Sequence, residues 1–348
     1  MSSALATSRI WHPWSERIFG KLQVSPIWVG AMVSLFTLAV LITVSIASGE
    51  LQAFAESSRG LLADRDARLA VSLCVLVGLF PAAQLYMVRF TQANLRSLEP
   101  LLARGAEVLE LPRPGFWQCI LPGILLMPAI AYAVDRDASM YFRADYLSGP
   151  IHLFQWAVGF FCTINVALST HLTLACAGAL AKRAEAIPRI DLLDLSALGP
   201  FARQSLQSLL VWLLTLSIFS VNATDAAFFL PILAMSIVCL GNSGIALLRC
   251  NRTIHLRIQR AKRDEMARVN AALRGDRSAL SGLSLGVRSE AGGLSAADLL
   301  AYRRFVDESR EWALDTSAWL RTALYLAIPL GSWLGGALVE RALEASLQ

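Results

Sequence analysis

Charged side chains are scarce in this sequence. Asp, Glu, Lys and Arg make up 16% of its 348 residues, against about 25% in an ordinary globular chain, while 55% of the residues are apolar. That balance excludes a typical soluble domain and points to a membrane protein. Lysine is scarcer still, confined to Lys21, Lys182 and Lys262 in a background rich in arginine and alanine, a bias characteristic of GC-rich bacterial genomes. The expected location is a bacterial inner (plasma) membrane, crossed several times.

Paired chemistry is missing too. The six cysteines (Cys74, Cys119, Cys162, Cys176, Cys239, Cys250) lie in or beside apolar runs, with no C-x-x-C pair and no regular spacing, so they read as small buried hydrophobes. The four histidines, His12, His152, His171 and His255, fall in separate regions and nowhere show the i, i+3 or i+4 spacing of a helical metal site. Neither a cofactor nor a metal is expected. Without a G-x-S-x-G, an H-E-x-x-H or a phosphate-cradling loop, the chain is not expected to be an enzyme. Nor does any Asp, Glu, Lys or Arg stand inside a long apolar run, where ion-coupled pumps keep such costly groups for function. His171 remains either a buried neutral side chain or a pH-sensitive gate.

What is present is a series of apolar runs. Seven of them, at about 25–48, 69–88, 118–134, 150–181, 204–221, 226–248 and 322–339, are long enough to cross the hydrocarbon core as helices. The first is too long for the apolar core of a cleaved signal, so it reads as an anchor. The third is short and holds Pro122 and Pro128, which predict a kink; the fourth is the longest and should tilt or protrude. Trp11, Trp14, Trp28, Trp117 and Trp319 stand near run ends, as an aromatic belt would place them, whereas Trp156, Trp212 and Trp333 lie deeper.

Orientation follows from the basic residues. With the N-terminus inside, 25 of the 31 Lys and Arg fall on inner segments and 6 on outer ones. Removing the third span would turn the 182–203 loop and the basic 249–321 region outward, so parity favours all seven. The expected fold is therefore all-α: a cytoplasmic segment (1–24), a six-helix bundle (25–248) with an interfacial helix near 188–201, cytoplasmic helices (249–316) joined by a flexible linker (275–294), and a last transmembrane helix with a short outer tail (317–348). This order of spans is similar to that of insect chemoreceptor channels, whose last helix lines a shared pore. The resemblance covers topology alone.

The stretch "LLRCNRTIHLRIQRAKRDEMARVN" (247–270) turns abruptly from apolar to basic. No aromatic side chains are interleaved with its cations, so a nucleic-acid partner is not expected. Ile254, Ile258, Ala261, Val269 and Ala272 form a thin apolar stripe, and Asp264 with Arg268 has i, i+4 spacing. Arg252, Arg257, Arg260 and Arg263 are candidates for contact with anionic lipid headgroups. Beyond the linker, Ser295 and Asp298 resemble a capping box ahead of Leu299, Tyr302 and Val306 on one face, so the two helices are expected to pair as an antiparallel hairpin. Its outer face carries Arg303 with Asp307 and Arg304 with Glu308.

Two patterns bear on function. Asn165, Ser169 and Thr173, with Cys162 and Cys176, share a face of the fourth span; Ser208 and Thr215, with Ser205, Trp212, Phe219 and Asn222, share one of the fifth; Asn242 lies in the sixth beside Gly241 and Gly244. These are either interhelical packing or a polar path. In the last span Gly331 with Gly335 and Ser332 with Gly336 make overlapping small-xxx-small pairs just after Pro329, either a packing face or a gate on an oligomer axis. The sequence thus predicts a homo-oligomeric channel or passive transporter for a small solute or ion, in contact with membrane lipids. The alternative is a membrane scaffold or signalling subunit that recruits a cytoplasmic protein partner through its helices.

Overall fold

The computed structural model describes residues 13–20, 24–49, 65–102, 114–134, 150–224, 228–283 and 295–312, and residues 320, 323, 324, 327 and 331 within the last apolar run. Every regular element among them is helical. Pro329, Ser332, Gly335 and Gly336 lie outside the described residues, as do Trp11, Trp319, Trp333, His12 and residues 284–294 of the expected linker.

The helices are α1 (Trp14–Phe19), α2 (Pro26–Ala47), α3 (Arg65–Leu98), α4 (Phe116–Val134), α5 (Pro150–Ala186), α6 (Gly199–Ser220), α7 (Phe229–Leu273) and α8 (Ala296–Glu308). Four are long and apolar enough by themselves to cross a membrane, within Pro26–Ala47, Arg68–Leu101, His152–Ala186 and Phe229–Leu273. α6 differs from these. It carries Gln204, Ser205, Gln207 and Ser208 on its first three turns, and 16 of its 22 residues are buried. A helix enclosed on nearly all sides by protein can hold polar groups that a lipid-facing helix could not.

The directions of the helices follow from which residues meet. α2 runs against α3, with Gly30 beside Gly78 and Ala82 and Ser34 donating to the Val75 carbonyl. α3 and α5 run the same way, since Cys162 meets Leu73, Asn165 meets Gln84 and Thr173 meets Met87. α6 runs against α3, with Asn222 on Ser72 and Gln204 on Thr91 and Asn94. α7 is parallel to α5, pairing Asn242 with Thr170, Cys250 with Ala177 and Arg257 with Glu185. Because α3 and α5 are parallel, the chain between them must return along the bundle, and α4 is the described helix that lies there. Its Gly123 packs on Phe160, Thr163 and Ile164 of α5.

One end of the bundle therefore collects the C-terminal halves of α3, α5 and α7 and the start of α6. α7 has 45 residues, and at 1.5 Å per residue it is about 68 Å long, twice the thickness of a hydrocarbon core. Its distal half builds a core of its own there. Leu98, Leu180, Ile187, Phe201, Ile254, Ile258, Val269, Leu283 and Val306 all belong to one cluster of buried side chains. Ile254, Ile258 and Val269 of the apolar stripe are fully buried, with Ala261 and Ala272 packed against them.

The hairpin forms as its sequence predicts. Tyr302 meets Glu265, Asp307 meets Lys262 and Glu311 meets Gln259, an antiparallel register. Ser295 and Asp298 make the reciprocal capping box of α8, and Leu299, Tyr302 and Val306 are its buried face. Arg304 pairs with Glu308 at 2.8 Å. Arg268 bonds Glu265 at 3.2 Å, three residues back, rather than forming its closest described pair with Asp264.

Two expectations are corrected. Residues 188–201 do not form a separate interfacial helix: after Pro188, Asp191 accepts from the Leu193 amide and Asp194 from the Ser196 amide. These local bonds take the donors a helix needs, leaving one 3-10 turn (Leu195–Leu198) that runs directly into α6. Ile190, Leu192, Leu198 and Phe201 are then buried in the distal core instead of lying on a membrane surface. The linker is also shorter than 275–294. Arg277–Gly282 is a 3-10 helix begun by Asp276 accepting from the Ser278 amide, and Leu283 is fully buried.

Candidate functional site

The sequence offered three candidate sites, and the structure sorts them differently. The polar stripe is buried and hydrogen-bonded between helices. Gln84 of α3 is its hub. Its amide donates to Asn165 Oδ1 at 3.1 Å and Ser169 Oγ at 3.4 Å, and its carbonyl accepts from Ser15 Oγ at 3.1 Å. Trp14 donates to the same Asn165 oxygen at 3.2 Å, so this tryptophan is anchored in the bundle rather than standing in an aromatic belt. Trp28 and Trp117, by contrast, are widely exposed. Thr173 accepts from the Trp212 indole at 3.2 Å, and Asn242 donates to Thr170 at 2.9 Å.

Two of the singled-out hydroxyls make no interhelical bond of this kind. Thr215 donates back to the Val211 carbonyl of its own helix, and Ser208 is buried against its neighbours. Sequence reasoning missed Gln84, Thr91, Asn94 and Gln204, all less than 4% exposed. Thr91 and Asn94 both donate to Gln204 Oε1, and Asn251 donates to Ser205 at 2.8 Å. The missed signal was three polar residues at helical spacing, Gln84, Thr91 and Asn94, running past the end of the second apolar run.

The tightest glycine contact among the described residues is one the sequence did not mark. Around Gly241, Gly244 and Gly331 a Cβ would meet nothing within 4 Å, whereas Gly78 is so tight against the Gly30 carbonyl and Ser34 that no Cβ fits without movement. Gly331 shares its helix face with Leu320, Ala323, Leu324 and Ala327, and every one of these is exposed.

The arginines of α7 divide into two groups. Arg257 donates to the Glu185 and Ile187 carbonyls, closing the C-terminal end of α5. Lys262 does the same for α8, donating to the Asp307 carbonyl at 2.6 Å and the Ser309 carbonyl at 3.3 Å. A cation at a helix C-terminus satisfies orphan carbonyls and meets the negative end of the dipole. Arg252, Arg260 and Arg263 are exposed. Nearby, Glu265 is 3% exposed yet accepts from Tyr302 at 2.8 Å and Arg268 at 3.2 Å, with Arg189 at 4.0 Å.

Beyond α8 the His255 ring stacks on Trp312 at 4.1 Å, and its Nδ1 lies 2.7 Å from the Glu311 carbonyl oxygen. The Glu311 carboxyl is held below its usual range, first by the Gln259 amide and then by Lys262 and His255. Among the described residues, no group of three or more His, Cys, Asp or Glu side chains could hold a metal ion.

These features define an all-helical protein with four helices long and apolar enough to cross a membrane and a second helical core at one end. No known family model matches the chain, and no curated protein or solved structure is significantly similar to it.

Proposed function

We propose that the chain crosses the membrane seven times, N-terminus in and C-terminus out, and works as an oligomeric channel or passive transporter for a small solute or ion. The helix directions support the crossing order: α2 and α6 run one way and α3, α5 and α7 the other, with α4 needed to link α3 to α5. The end that collects the basic residues is then cytoplasmic, and the exposed apolar side chains of α2 and α7, such as Leu35, Phe36, Leu233 and Ile237, face lipid.

The observation that carries the reading is the outward face of the last apolar run. Asn165, Ser169, Thr173 and Asn242 are engaged in hydrogen bonds within or between helices, so they favour packing over a path through one subunit. Gly331, in contrast, sits on an exposed apolar face with open space around it. A small-residue face turned out of its own subunit fits close approach by a second copy, with the path on the shared axis.

Native mass spectrometry of the protein released from lipid nanodiscs tests this first. A closed ring of three or more subunits is expected, and a monomer would remove the shared axis. In a ring that conducts, Gly335→Leu should cut flux at least tenfold while the subunit still folds. Unchanged flux would take the last helix out of the path.

A scaffold or signalling role is the second reading, favoured by Leu300 and Phe305, which α8 leaves about half exposed on the distal end. Leu300→Glu or Phe305→Glu should then abolish capture of a cytoplasmic partner without changing the spans. Recovery of the same proteins by both forms would end this reading.

A further inference from the structure

At the distal end, α7 and the turn after α5 enclose a cleft of about 560 Å³ lined by Arg189, Arg257, Arg260, Arg268, Asp264 and Glu265. Its size lies within the range of small-molecule sites. Its wall carries four guanidiniums and two carboxylates, a formal excess of two positive charges. That excess matches the charge of a phosphate dianion.

Three of the four guanidiniums, those of Arg189, Arg257 and Arg268, are engaged by neighbours. Glu265 is nearly inaccessible to solvent, and its carboxylate receives Tyr302 and Arg268 and lies beside Arg189, two cations drawn from different segments. Arg257 is fixed by the carbonyls at the end of α5. Arg260 is exposed at the rim and has no ion pair described. Planar guanidiniums suit the bidentate recognition of phosphate, and those that Glu265 already orients, Arg189 and Arg268, have less side-chain freedom to lose on binding.

Distance along α7 separates two sources of phosphate. Leu248 ends the apolar run, and Arg257 lies nine residues further along the same unbroken helix, or about 14 Å. Arg268 lies about 30 Å beyond that end. The headgroup layer on one face of a bilayer is only about 5–8 Å deep. The cleft therefore opens past the layer in which an ordinary lipid phosphate resides.

We propose that this cleft binds a soluble phosphate-bearing anion, such as a free phosphate or a phosphate ester, on Arg189, Arg260 and Arg268. It divides the arginines of α7 by role: Arg260 recognises the ligand, Arg257 closes α5 at the cleft wall, and Arg252 lies outside. The inference does not depend on the number of subunits or on transport.

Pyrophosphate is the first probe, titrated into the full chain in nanodiscs of phosphatidylcholine, with chloride at matched ionic strength as the control. Saturable binding is expected by calorimetry and by a rise in Tm. Arg260→Ala should weaken it about tenfold or more, and Arg189→Ala similarly, while Arg252→Ala stays within about twofold. Arg260 is exposed, so its substitution leaves the fold intact, and an unchanged Tm without ligand verifies this. No binding of pyrophosphate, or equal loss in Arg252→Ala and Arg260→Ala, overturns the site. No pyrophosphate binding in phosphatidylcholine discs, with an Arg260-dependent rise in Tm on moving to phosphatidylglycerol discs, also overturns it, by assigning these arginines to lipid headgroups.

Discussion

Arg257 and Lys262 act on helices other than their own. Each donates to the last carbonyls of a neighbour, α5 or α8, at a point where the chain turns away and those acceptors would otherwise be orphaned. Water can reach the Glu185 carbonyl and in part the Ile187 carbonyl, so Arg257→Ala should cost the net worth of these bonds, about 1 kcal/mol, at the distal end. Arg252→Ala, on the exposed face, should change stability by less than about 0.5 kcal/mol. Thermal unfolding followed by circular dichroism distinguishes the two; equal effects would refute the capping role. Asp298 makes a pH-dependent counterpart at the other end of α8. Its carboxyl is held below its usual value of 3.8, first by the Ser295 hydroxyl and then by the Ser295 amide. A depressed folded pKa means that the cap contributes fully above the unfolded value and is lost as pH falls through the folded one. Amide exchange in the first turn of α8 should therefore lose protection below about pH 4, and Asp298→Asn should remove that dependence.

At the scale of elements, the α2–α3 crossing is governed by two glycines that no motif flagged. Gly30 and Gly78 lie on facing helices, one in each of the first two apolar runs, so the pair exists only once the helices are set antiparallel. Even one added methyl at Gly78 would press on the Gly30 backbone. Gly78→Val should cost about 1–3 kcal/mol by overpacking, and a cysteine pair placed at Ser34 and Val75 should lose its cross-linking. Retained cross-linking at wild-type stability would show that the crossing can relax. α1 depends on a different device. Trp14 and Ser15 reach Asn165 and Gln84, so Gln84→Leu should release α1 and shift Trp14 fluorescence toward that of a solvent-exposed indole. No shift would mean that packing alone, including Trp14 against Phe161 at 5.8 Å, holds it.

The whole molecule combines two regimes of stability. With the bundle in a membrane, as proposed, lipid would surround the helices and apolar burial would give little drive between them; small-residue packing and polar bonds such as Gln84 to Asn165 would then hold the contacts. At the distal end, outside the membrane in the same arrangement, the cluster that includes Phe201, Ile254, Ile258 and Val306 would form by the ordinary hydrophobic effect. Placing that end in the cytoplasm predicts opposite sides for Arg252 and Gln348. On a cysteine-free chain, Arg252→Cys should react with an impermeant maleimide only after the membrane is opened, and Gln348→Cys should react in intact cells. Labelling of both under the same condition would remove one span from the count.

The sequence by itself determined the helical class, the apolar runs, the face of α8 and its capping box. These depend on the period of side chains along one helix and on residues three apart, both of which are local. It also marked Ile254, Ile258 and Val269 as an apolar stripe on a charged helix, and the structure buries that stripe. Tertiary structure alone decided that Arg257 and Lys262 are caps, that Gln84 joins three helices, and that the turn at 188–198 buries Ile190, Leu192 and Leu198 in the distal core. It likewise set Gly30 against Gly78, a contact no pattern had marked. Each of these depends on which distant segment arrives beside the residue. A helix pattern records how much of a face is apolar, but not what that face will meet.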